Sequence, residues 1–187
     1  MRELIADLFI SLDGFAAGAN EGPYFGYDGP DLSTWVRTEL NQPQVMLMGR
    51  NTYLALSGFA AAAADPVSAR MRELPKLVFS RTLDGPLAWK NTRVIAGDLA
   101  QEIRTLKQQP GDLIRSIGSM QLVKGMMELG LVDRLRLMVF PLILGCAGRE
   151  PIHAGYPRTA LHLVGTKVLD SRLVLLEYGH QGGARSA

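Results

Sequence analysis

Three short segments place small residues and arginines directly after apolar runs. They are Gly49-Arg50-Asn51-Thr52, Ser80-Arg81-Thr82 and Gly118-Ser119-Met120-Gln121. Where a strand runs into a helix, free backbone N–H groups and the positive end of the helix dipole form a site for anions. Glycine lets the backbone approach a ligand closely, and the arginine guanidinium matches a phosphate group. These segments therefore predict the binding of a ligand with several phosphates.

Each segment also has a purely structural interpretation, in which an ordinary strand–helix turn is followed by a solvated arginine. The three together favour the binding site, because the C-terminal ends of parallel strands gather at one edge of a sheet. A dinucleotide with an added 2′-phosphate is the natural candidate, with Arg50 and Arg81 beside its phosphates. The G-x-G-x-x-G fingerprint is missing after the first strand, which excludes a standard Rossmann domain.

The elements that must position these segments alternate between strands and helices. Apolar runs predict strands at residues 4–12, 45–48, 77–79, 92–95 and 113–117. Helical spacing predicts helices that begin near Asp31, Arg50, Val67, Asp98 and Ser119. A strand over residues 135–144 follows, with Pro141 at a bulge or edge, and residues 160–169 and 172–178 predict a hairpin. Residues 16–30 are predicted to form a long loop.

This order predicts an α/β fold with three layers, α/β/α. A mixed, mostly parallel central sheet lies between helices, and the C-terminal antiparallel hairpin forms one edge. At 187 residues the chain is expected to form a single domain, residues 1–187, in which residues 179–187 are a frayed tail.

Composition excludes several classes of protein. The net charge of +2 is small and the basic residues are scattered, so no nucleic-acid partner is expected. No apolar run approaches the roughly 20 residues of a membrane helix, and Met1-Arg2-Glu3 does not begin a signal peptide. The single cysteine, Cys146, fits a reducing compartment, and a cytoplasmic location is expected. The three histidines come late and lie far apart, so no metal site is expected.

A set of motifs carries a family resemblance over nearly the whole chain, residues 4–176. The motifs are Ser11-Leu12-Asp13-Gly14, Leu47-Met48-Gly49-Arg50-Asn51-Thr52-Tyr53, Val78-Phe79-Ser80-Arg81-Thr82-Leu83, Ile117-Gly118-Ser119 with Leu122-Val123, and Gly130-Leu131-Val132-Asp133-Arg134-Leu135. The set resembles the dihydrofolate reductase-like superfamily. Within it, the chain is most similar to the stand-alone bacterial relatives of the C-terminal reductase domain of riboflavin biosynthesis.

The resemblance implies NADPH as the hydride donor and a role for each matching residue. It implies that Gly49, Arg50, Asn51 and Thr52 hold the pyrophosphate and the adenosine side. Ser80 and Arg81 would meet the 2′-phosphate. Gly118 and Ser119, followed by Met120, Gln121 and Leu122, would take the pyrophosphate and the nicotinamide ribose. Ala6 would lie against the nicotinamide carboxamide.

The resemblance also implies that Ser11, Asp13 and Gly14 border the nicotinamide and the substrate. Tyr24 and Phe25 would stack on a flat substrate ring or fill the core. Asp13 is the first choice for the proton donor and Asp31 the second, whereas turn chemistry and a helix N-cap are the competing explanations of these two acids. Asp7 is a third candidate acid, unless it is a buried carboxyl bonded to backbone.

The expected function is therefore an NADPH-dependent reductase of a small pyrimidine- or pterin-like heterocycle. The resemblance favours a reductase of the 5-amino-6-(5-phosphoribosylamino)uracil type. The phosphate of such a substrate needs a further cationic patch, for which Lys124 and Arg149 are the available candidates. A dihydrofolate reductase proper and a nucleotide-binding protein without catalysis are the alternatives. A homodimer is expected, because residues 135–144 are more apolar than an exposed edge strand.

Overall fold

The computed structural model describes residues 1–62, 65–152, 154–156 and 158–180. The strands are β1 Leu4–Ser11, β2 Phe15–Gly18, β3 Gln44–Gly49, β4 Lys76–Phe79, β5 Thr92–Ile95, β6 Leu113–Ser116, β7 Arg134–Phe140, β8 Gly148–Pro151, β9 Leu161–Leu169 and β10 Leu173–His180. The helices are α1 Pro30–Asn41, α2 Arg50–Ala62, α3 Pro66–Glu73, α4 Leu99–Gln108 and α5 Met120–Glu128. Short 3-10 turns occupy Pro23–Gly26 and Gly145–Ala147.

Eight of these strands form the central sheet, in the order β5-β4-β3-β6-β1-β7-β10-β9. The first six are parallel to one another, and β10 pairs antiparallel with both β7 and β9. The C-terminal ends of β1, β3, β4 and β6 therefore meet at one edge of the sheet. The predicted mixed sheet with a terminal antiparallel hairpin is confirmed.

Helices cover the sheet on both faces, and each face has its own apolar core. One core joins residues of α1, α2 and α3 to the sheet, including Leu32, Tyr53 and Met138. The other joins α4 and α5 to the sheet, including Ile103, Val123 and Ala6. This arrangement confirms the three predicted layers. No helix in the described ranges has the length and the apolar composition that crossing a membrane requires.

Two short strands that the sequence did not predict are a correction to the sequence interpretation. β2, inside the stretch predicted to be a long loop, pairs antiparallel with β8, which follows the turn at residues 145–147. Their sequences, Phe-Ala-Ala-Gly and Gly-Arg-Glu-Pro, have no alternation of apolar and polar residues. The pairing between distant segments holds them in place, and such pairing leaves no local signal.

The predicted strand at residues 135–144 is shorter than expected and lies inside the sheet. β7 ends at Phe140, before Pro141, and runs between β1 and β10. Its apolar composition is therefore explained by burial within this chain. Helix α2 continues to Ala62, into the alanine-rich stretch at residues 60–64, of which residues 63 and 64 lie outside the described residues. Most of the predicted tail, residues 181–187, also lies outside them.

Helix α1 begins one residue earlier than predicted and is capped from another part of the chain. Its N-cap is Gly29, with Pro30 in the first turn, and Asp31 lies inside the helix. The carboxylate of Asp170, in the β9–β10 turn, accepts hydrogen bonds from the backbone N–H groups of Asp31 at 2.9 Å and Leu32 at 3.0 Å. In return, Asp31 accepts one from the backbone N–H of Asp170 at 2.9 Å. The prediction that Asp31 is the N-cap is therefore wrong.

Candidate functional site

The ends of β3 and β6 approach each other more closely than any side chain larger than hydrogen would allow. A Cβ atom built on Gly49 would lie 2.3 Å from Oγ of Ser119, and one on Gly118 would lie 3.0 Å from Oγ1 of Thr52. Gly118 has a φ of 103°, a conformation that other residues rarely adopt, and its peptide bond to Ser119 is cis. A side chain at position 49 would therefore clash with that of Ser119, and one at position 118 would be strained, so the starts of α2 and α5 lie side by side.

Both helices begin where a ligand can reach their free backbone N–H groups. α2 starts at Arg50, directly after β3, and α5 starts at Met120 with Ser119 at the N-cap. Ser119 occupies the N-cap position without a capping hydrogen bond from its side chain. The first N–H groups of α5 therefore lack this internal acceptor, which suits them to bind an anion.

The two predicted arginines lie at the ends of neighbouring strands and are solvent-exposed. β4 pairs with β3 from Lys76 opposite Met46 to Phe79 opposite Gly49, so Arg81 follows β4 close to the end of β3. The hydroxyl of Ser80 accepts hydrogen bonds from the backbone N–H groups of Thr82 at 3.1 Å and Leu83 at 2.9 Å. Ser80 therefore shapes the turn that carries Arg81.

A cavity of about 330 Å³ opens beside these strand ends. Its walls include the aromatic residues Phe9, Tyr24, Phe25, Trp35 and Phe59. Of the predicted site residues, the cavity is lined by Thr52, Gly118, Ser119, Met120, Tyr24, Phe25 and Asp7. The ring centroids of Phe9 and Tyr24 lie 5.3 Å apart, and those of Phe9 and Trp35 6.1 Å apart. These rings pack against one another in the wall, and the volume of the cavity leaves room for one flat ring system beside them.

The floor of this cavity is a buried cluster of two carboxylates and two guanidinium groups. Asp7 accepts hydrogen bonds from Nε of Arg136 at 2.6 Å and from its Nη2 at 2.8 Å, and Nε of Arg115 lies 3.4 Å from Asp7. Glu39 bonds both arginines through the same carboxylate oxygen, Oε2, with Nη1 of Arg136 at 3.0 Å. The two carboxylates thus balance the charges of both arginines.

The pKa values of the two arginines shift in opposite directions. Burial lowers the pKa of Arg115, and the neighbouring charges of Asp7 and Glu39 only partly offset this. Burial also acts to lower the pKa of Arg136, but its hydrogen bonds and ion pairs with Asp7 and Glu39 outweigh burial and raise its pKa. Arg136 also lies over the ring of Trp35, at 5.1 Å from the centroid, so the charged cluster is joined to the aromatic wall.

Three members of this cluster, Glu39, Arg115 and Arg136, were not predicted from the sequence. A signal was present: Arg115 follows two apolar residues in β6, and Arg136 stands between two leucines in β7. Since a charged residue in a buried strand needs a partner, the two arginines required carboxylates nearby. Asp7 was recognised as out of place for the same reason. The sequence contains no signal for the second carboxylate of the cluster, Glu39, which comes from helix α1.

One oxygen of the cluster is free to bind a ligand. Within the described parts of the chain, the hydrogen bonds to Glu39 reach Oε2, and none reaches Oε1. Nε of Arg115 is buried without a hydrogen-bond partner. The floor therefore offers a carboxylate acceptor to an N–H group of a ligand.

Tyr24 supplies a neutral hydroxyl in the wall of the cavity. Burial raises the pKa of Tyr24, and the charge of Asp65 raises it further. The phenol therefore keeps its proton at neutral pH and can donate it in a hydrogen bond.

Asp13, the first choice for the proton donor, lies outside the residues that line the cavity. It accepts hydrogen bonds from the Ser11 hydroxyl at 2.7 Å and from the backbone N–H groups of Leu144 at 3.1 Å and Gly145 at 2.8 Å. These bonds, that from Ser11 foremost, lower the pKa of Asp13. The contacts give Asp13 a structural task, which is to fix the segment after β7. Its catalytic role stays a prediction.

The remaining predicted residues do not line the cavity. Asp31 is tied to Asp170 and does not line the cavity, so its catalytic role also stays a prediction. The predicted residues that also lie outside the cavity lining are Ala6, Ser11, Gly14, Gly49, Arg50, Asn51, Ser80, Arg81, Gln121 and Leu122. Ala6 and Leu122 pack in the core beneath α4 and α5, and the hydroxyl of Ser11 accepts a hydrogen bond from the backbone N–H of Phe15 at 3.0 Å. No cluster of potential metal ligands occurs among the described residues.

The fold is shared with solved structures of other proteins. A putative riboflavin biosynthesis protein from Shewanella sp. PV-4 aligns with a TM-score of 0.71 at 19% identity, over 96% of this chain and 99% of that chain. A Thermotoga maritima diaminohydroxyphosphoribosylaminopyrimidine deaminase/5-amino-6-(5-phosphoribosylamino)uracil reductase aligns at 0.67 and 16%, over 96% and 56% of the two chains. Dihydrofolate reductase from Enterococcus faecalis, complexed with NADP(H), aligns at 0.64 and 12%, over 96% of each chain. The fold is therefore dihydrofolate reductase-like, as the resemblance implied.

Sequence comparisons identify the family. An uncharacterized protein of Bacillus subtilis (strain 168), YyaP, is 29% identical over 189 residues, which cover 97% of this chain and 96% of that protein. The family model described as the RibD C-terminal domain matches residues 2–175, nearly the whole chain. The paired helix starts, the aromatic cavity and the sheet order thus occur in a chain that belongs to the RibD C-terminal domain family.

Proposed function

We propose that this chain is an NADPH-dependent reductase of a small pyrimidine- or pterin-like heterocycle. The observation that carries the proposal is the contact between Gly49 and Ser119, which places two helix N-termini at the mouth of an aromatic cavity. Membership of a reductase-domain family supports it, as do the uracil reductase and the NADP(H)-bound dihydrofolate reductase that share the fold.

The residues at the strand ends fit a phosphorylated dinucleotide. Backbone N–H groups at the start of α5, next to Gly118 and Ser119, would hold the pyrophosphate, and Arg81 would meet the 2′-phosphate. Gly49 and Gly118 allow the two helix starts to pack together, because a Cβ atom on either would press against the side chain of Ser119 or Thr52. When bound, the cofactor supplies the hydride, and the chain supplies orientation and a dry surrounding.

The cavity residues would hold the ring that is reduced. Phe9, Tyr24 and Trp35 present aromatic surfaces to its faces, and the free Oε1 of Glu39 would accept a hydrogen bond from an N–H group at its edge. The protonated hydroxyl of Tyr24 would donate a hydrogen bond to a ring nitrogen or carbonyl. These contacts would fix the ring against the cofactor side of the cavity, where Thr52, Gly118 and Ser119 lie.

Titration of NADPH and NADH onto the wild type and Arg81→Ala tests the cofactor assignment. A charged hydrogen bond contributes about 1.5–3 kcal/mol, so NADPH is expected to bind roughly tenfold or more tightly than NADH, and Arg81→Ala should remove most of this preference. Arg104→Ala, an exposed arginine on α4, is the matched control and should keep the preference. Equal affinity of the wild type for the two cofactors would contradict the proposal.

Nucleotide binding without catalysis is the second candidate. The floor cluster favours it, because Arg136 donates hydrogen bonds to both oxygens of Asp7 and so opposes a role of this carboxylate as proton donor. The two candidates differ in one result. A reductase should oxidise NADPH, measured as a decrease in absorbance at 340 nm, with at least one compound in a screen of aminopyrimidines and pterins that includes dihydrofolate. Turnover of dihydrofolate above all other compounds would identify a dihydrofolate reductase proper.

We also propose a homodimer, formed through the exposed strand β9. This strand is at one edge of the sheet, and it exposes Leu163 at 57%, Val164 at 50% and Val168 at 63%. An edge strand with free backbone groups and exposed apolar side chains is usually covered by a partner. A second copy of this chain offers the same strand and would pair with it symmetrically.

A further inference from the structure

The charges around the cavity leave no cation available for a phosphate group on the substrate. Among the described lining residues the acids are Asp7, Glu21, Glu39 and Glu150, and the only cation is Arg115. Arg115 is 2% exposed, and its guanidinium is already paired with Glu39 and Asp7. Arg136, 6% exposed, is held by Asp7 and Glu39 in the same cluster. Neither guanidinium can turn to a phosphate without breaking a buried ion pair.

The rim of the cavity is acidic as well. Glu21 and Glu150 are exposed and line the cavity on the side of β2 and β8. Arg149, one of the two cations considered for a phosphate patch, lies outside the lining residues and donates to the backbone oxygens of Cys146 at 3.2 Å and Gly148 at 2.9 Å. Lys124, the other, is 3.9 Å from Glu128 and also lies outside them. A phosphate attached to the bound ring would therefore face carboxylates.

We infer that the cavity takes a flat heterocycle without a phosphate group, neutral or cationic, that directs an N–H edge towards Glu39. This inference rests on the proposed reductase function and names the substrate class of the same site. The aromatic walls select a flat ring, the unbonded Oε1 of Glu39 selects an N–H donor, and the carboxylates of the rim repel an anionic substituent. The phosphates of the cofactor would have partners of their own, which are the start of α5 after Ser119 and the exposed Arg50 and Arg81.

A matched pair of compounds tests the inference: 5-amino-6-(ribosylamino)uracil and its 5′-phosphate. Binding is measured by calorimetry and by quenching of tryptophan fluorescence, with and without saturating NADPH. The wild type is expected to bind the unphosphorylated compound at least about tenfold more tightly, since the phosphate would lie near like charges. 2,4-Diaminopyrimidine, a phosphate-free ring with N–H donors, is expected to bind the same cavity and to compete with the unphosphorylated compound.

Charge reversal at the rim provides the second arm. The double variant Glu21→Lys/Glu150→Lys should shift the ratio of the two affinities about tenfold towards the 5′-phosphate. Glu73→Lys/Glu128→Lys changes the net charge equally at exposed positions outside the cavity, and it should leave the ratio unchanged. If both double variants shift the ratio equally, the selection comes from net charge and the assignment to the rim is overturned.

The outcomes separate this inference from the proposed function. Equal or tighter binding of the 5′-phosphate by the wild type overturns the inference, and so does failure of all three compounds to bind protein that binds NADPH. In both cases the reductase proposal stands. If NADPH itself does not bind, the reductase proposal fails, while preference for the unphosphorylated compound in the free protein still supports the charge selection.

Discussion

Replacement of Gly49 by alanine should separate the two helix N-termini that we assign to the cofactor. The added Cβ would lie 2.3 Å from Oγ and 3.1 Å from Cβ of Ser119, whereas the next nearest atom, the backbone nitrogen of Ser119, would lie at 3.6 Å. Contacts below 3 Å force a displacement, and overpacking of a well-packed site costs about 1–3 kcal/mol. If this cost falls on the bound state, the affinity for NADPH decreases roughly 5- to 150-fold.

The clash involves only the side chain of Ser119, so a second substitution should relieve it. Gly49→Ala/Ser119→Gly removes both close contacts and should recover affinity relative to Gly49→Ala. Ser119→Gly alone reports the separate effect of the lost side chain, which completes a double-mutant cycle. Gly58→Ala is the control within α2, because a Cβ there meets no atom within 4 Å and should stabilise the helix by about 0.5–1 kcal/mol.

The assay is calorimetric titration of NADPH, with the melting temperature of each variant recorded without the cofactor. A decrease in affinity that exceeds the loss of stability is the predicted result for Gly49→Ala. Wild-type affinity in a folded Gly49→Ala variant would refute the assignment of these strand ends to the cofactor.

Three further predictions concern stability and assembly. Asp170→Ala removes the acceptor at the start of α1 and should lower the free energy of unfolding by about 0.5–2 kcal/mol in urea denaturation, with NADPH affinity retained. The control Asp84→Ala, at an exposed position, should change this free energy little. Wild-type stability of Asp170→Ala would contradict the capping role. Burial lowers the pKa of Lys76 from 10.5 to about 8, so the unfolded chain binds more protons than the folded chain between these values, and the free energy of unfolding should rise with pH across that window. Lys76→Met should flatten this rise in denaturation curves and the exposed Lys90→Met should not; an identical pH dependence in wild type and Lys76→Met would show that Lys76 is not the cause. In light scattering, the wild type should have twice the 20.4 kDa chain mass, and Leu163→Lys/Val168→Lys should convert this dimer into a monomer. The control Leu54→Lys/Phe59→Lys, also at exposed apolar positions, should remain a dimer. A wild type that is monomeric at micromolar concentration would contradict the proposed dimer.

The sheet and its helices could be predicted because their signals are local. The strands β3, β4 and β5 each contain two to four consecutive apolar residues, followed by glycine, serine or alanine. Asp98 accepts the hydrogen bond from the backbone N–H of Gln101 that an N-cap predicts. The close approach of Gly49 and Ser119 was not visible in the sequence, but the convergence of their strand ends followed from parallel pairing. That rule, with the arginines that follow two of these strands, is sufficient to predict an anion site.

The interior of the cavity could not be predicted, because its residues become partners only after folding. Asp7 and Arg136 are 129 positions apart, and Glu39 and Arg115 are 76 apart. The roles suggested for Asp13 and Asp31 depended on the same long-range information. Asp31 resembles an N-cap from its neighbours, yet Asp170 in a distant turn caps the helix. Local patterns thus located the edge of the sheet to which we assign the ligands, and distant contacts set the polar floor of the cavity.

A crystal structure of the complex with NADP⁺ tests the central claim most directly. We predict the pyrophosphate at the N-termini of α2 and α5, beside Gly49, Gly118 and Ser119, with the 2′-phosphate against Arg81. The nicotinamide ring should reach the side of the cavity where Thr52, Gly118 and Ser119 lie, and face the ring that is reduced. A cofactor bound elsewhere, such as in the hollow near Lys107 and Arg134 at the opposite end of the strands, would contradict the account.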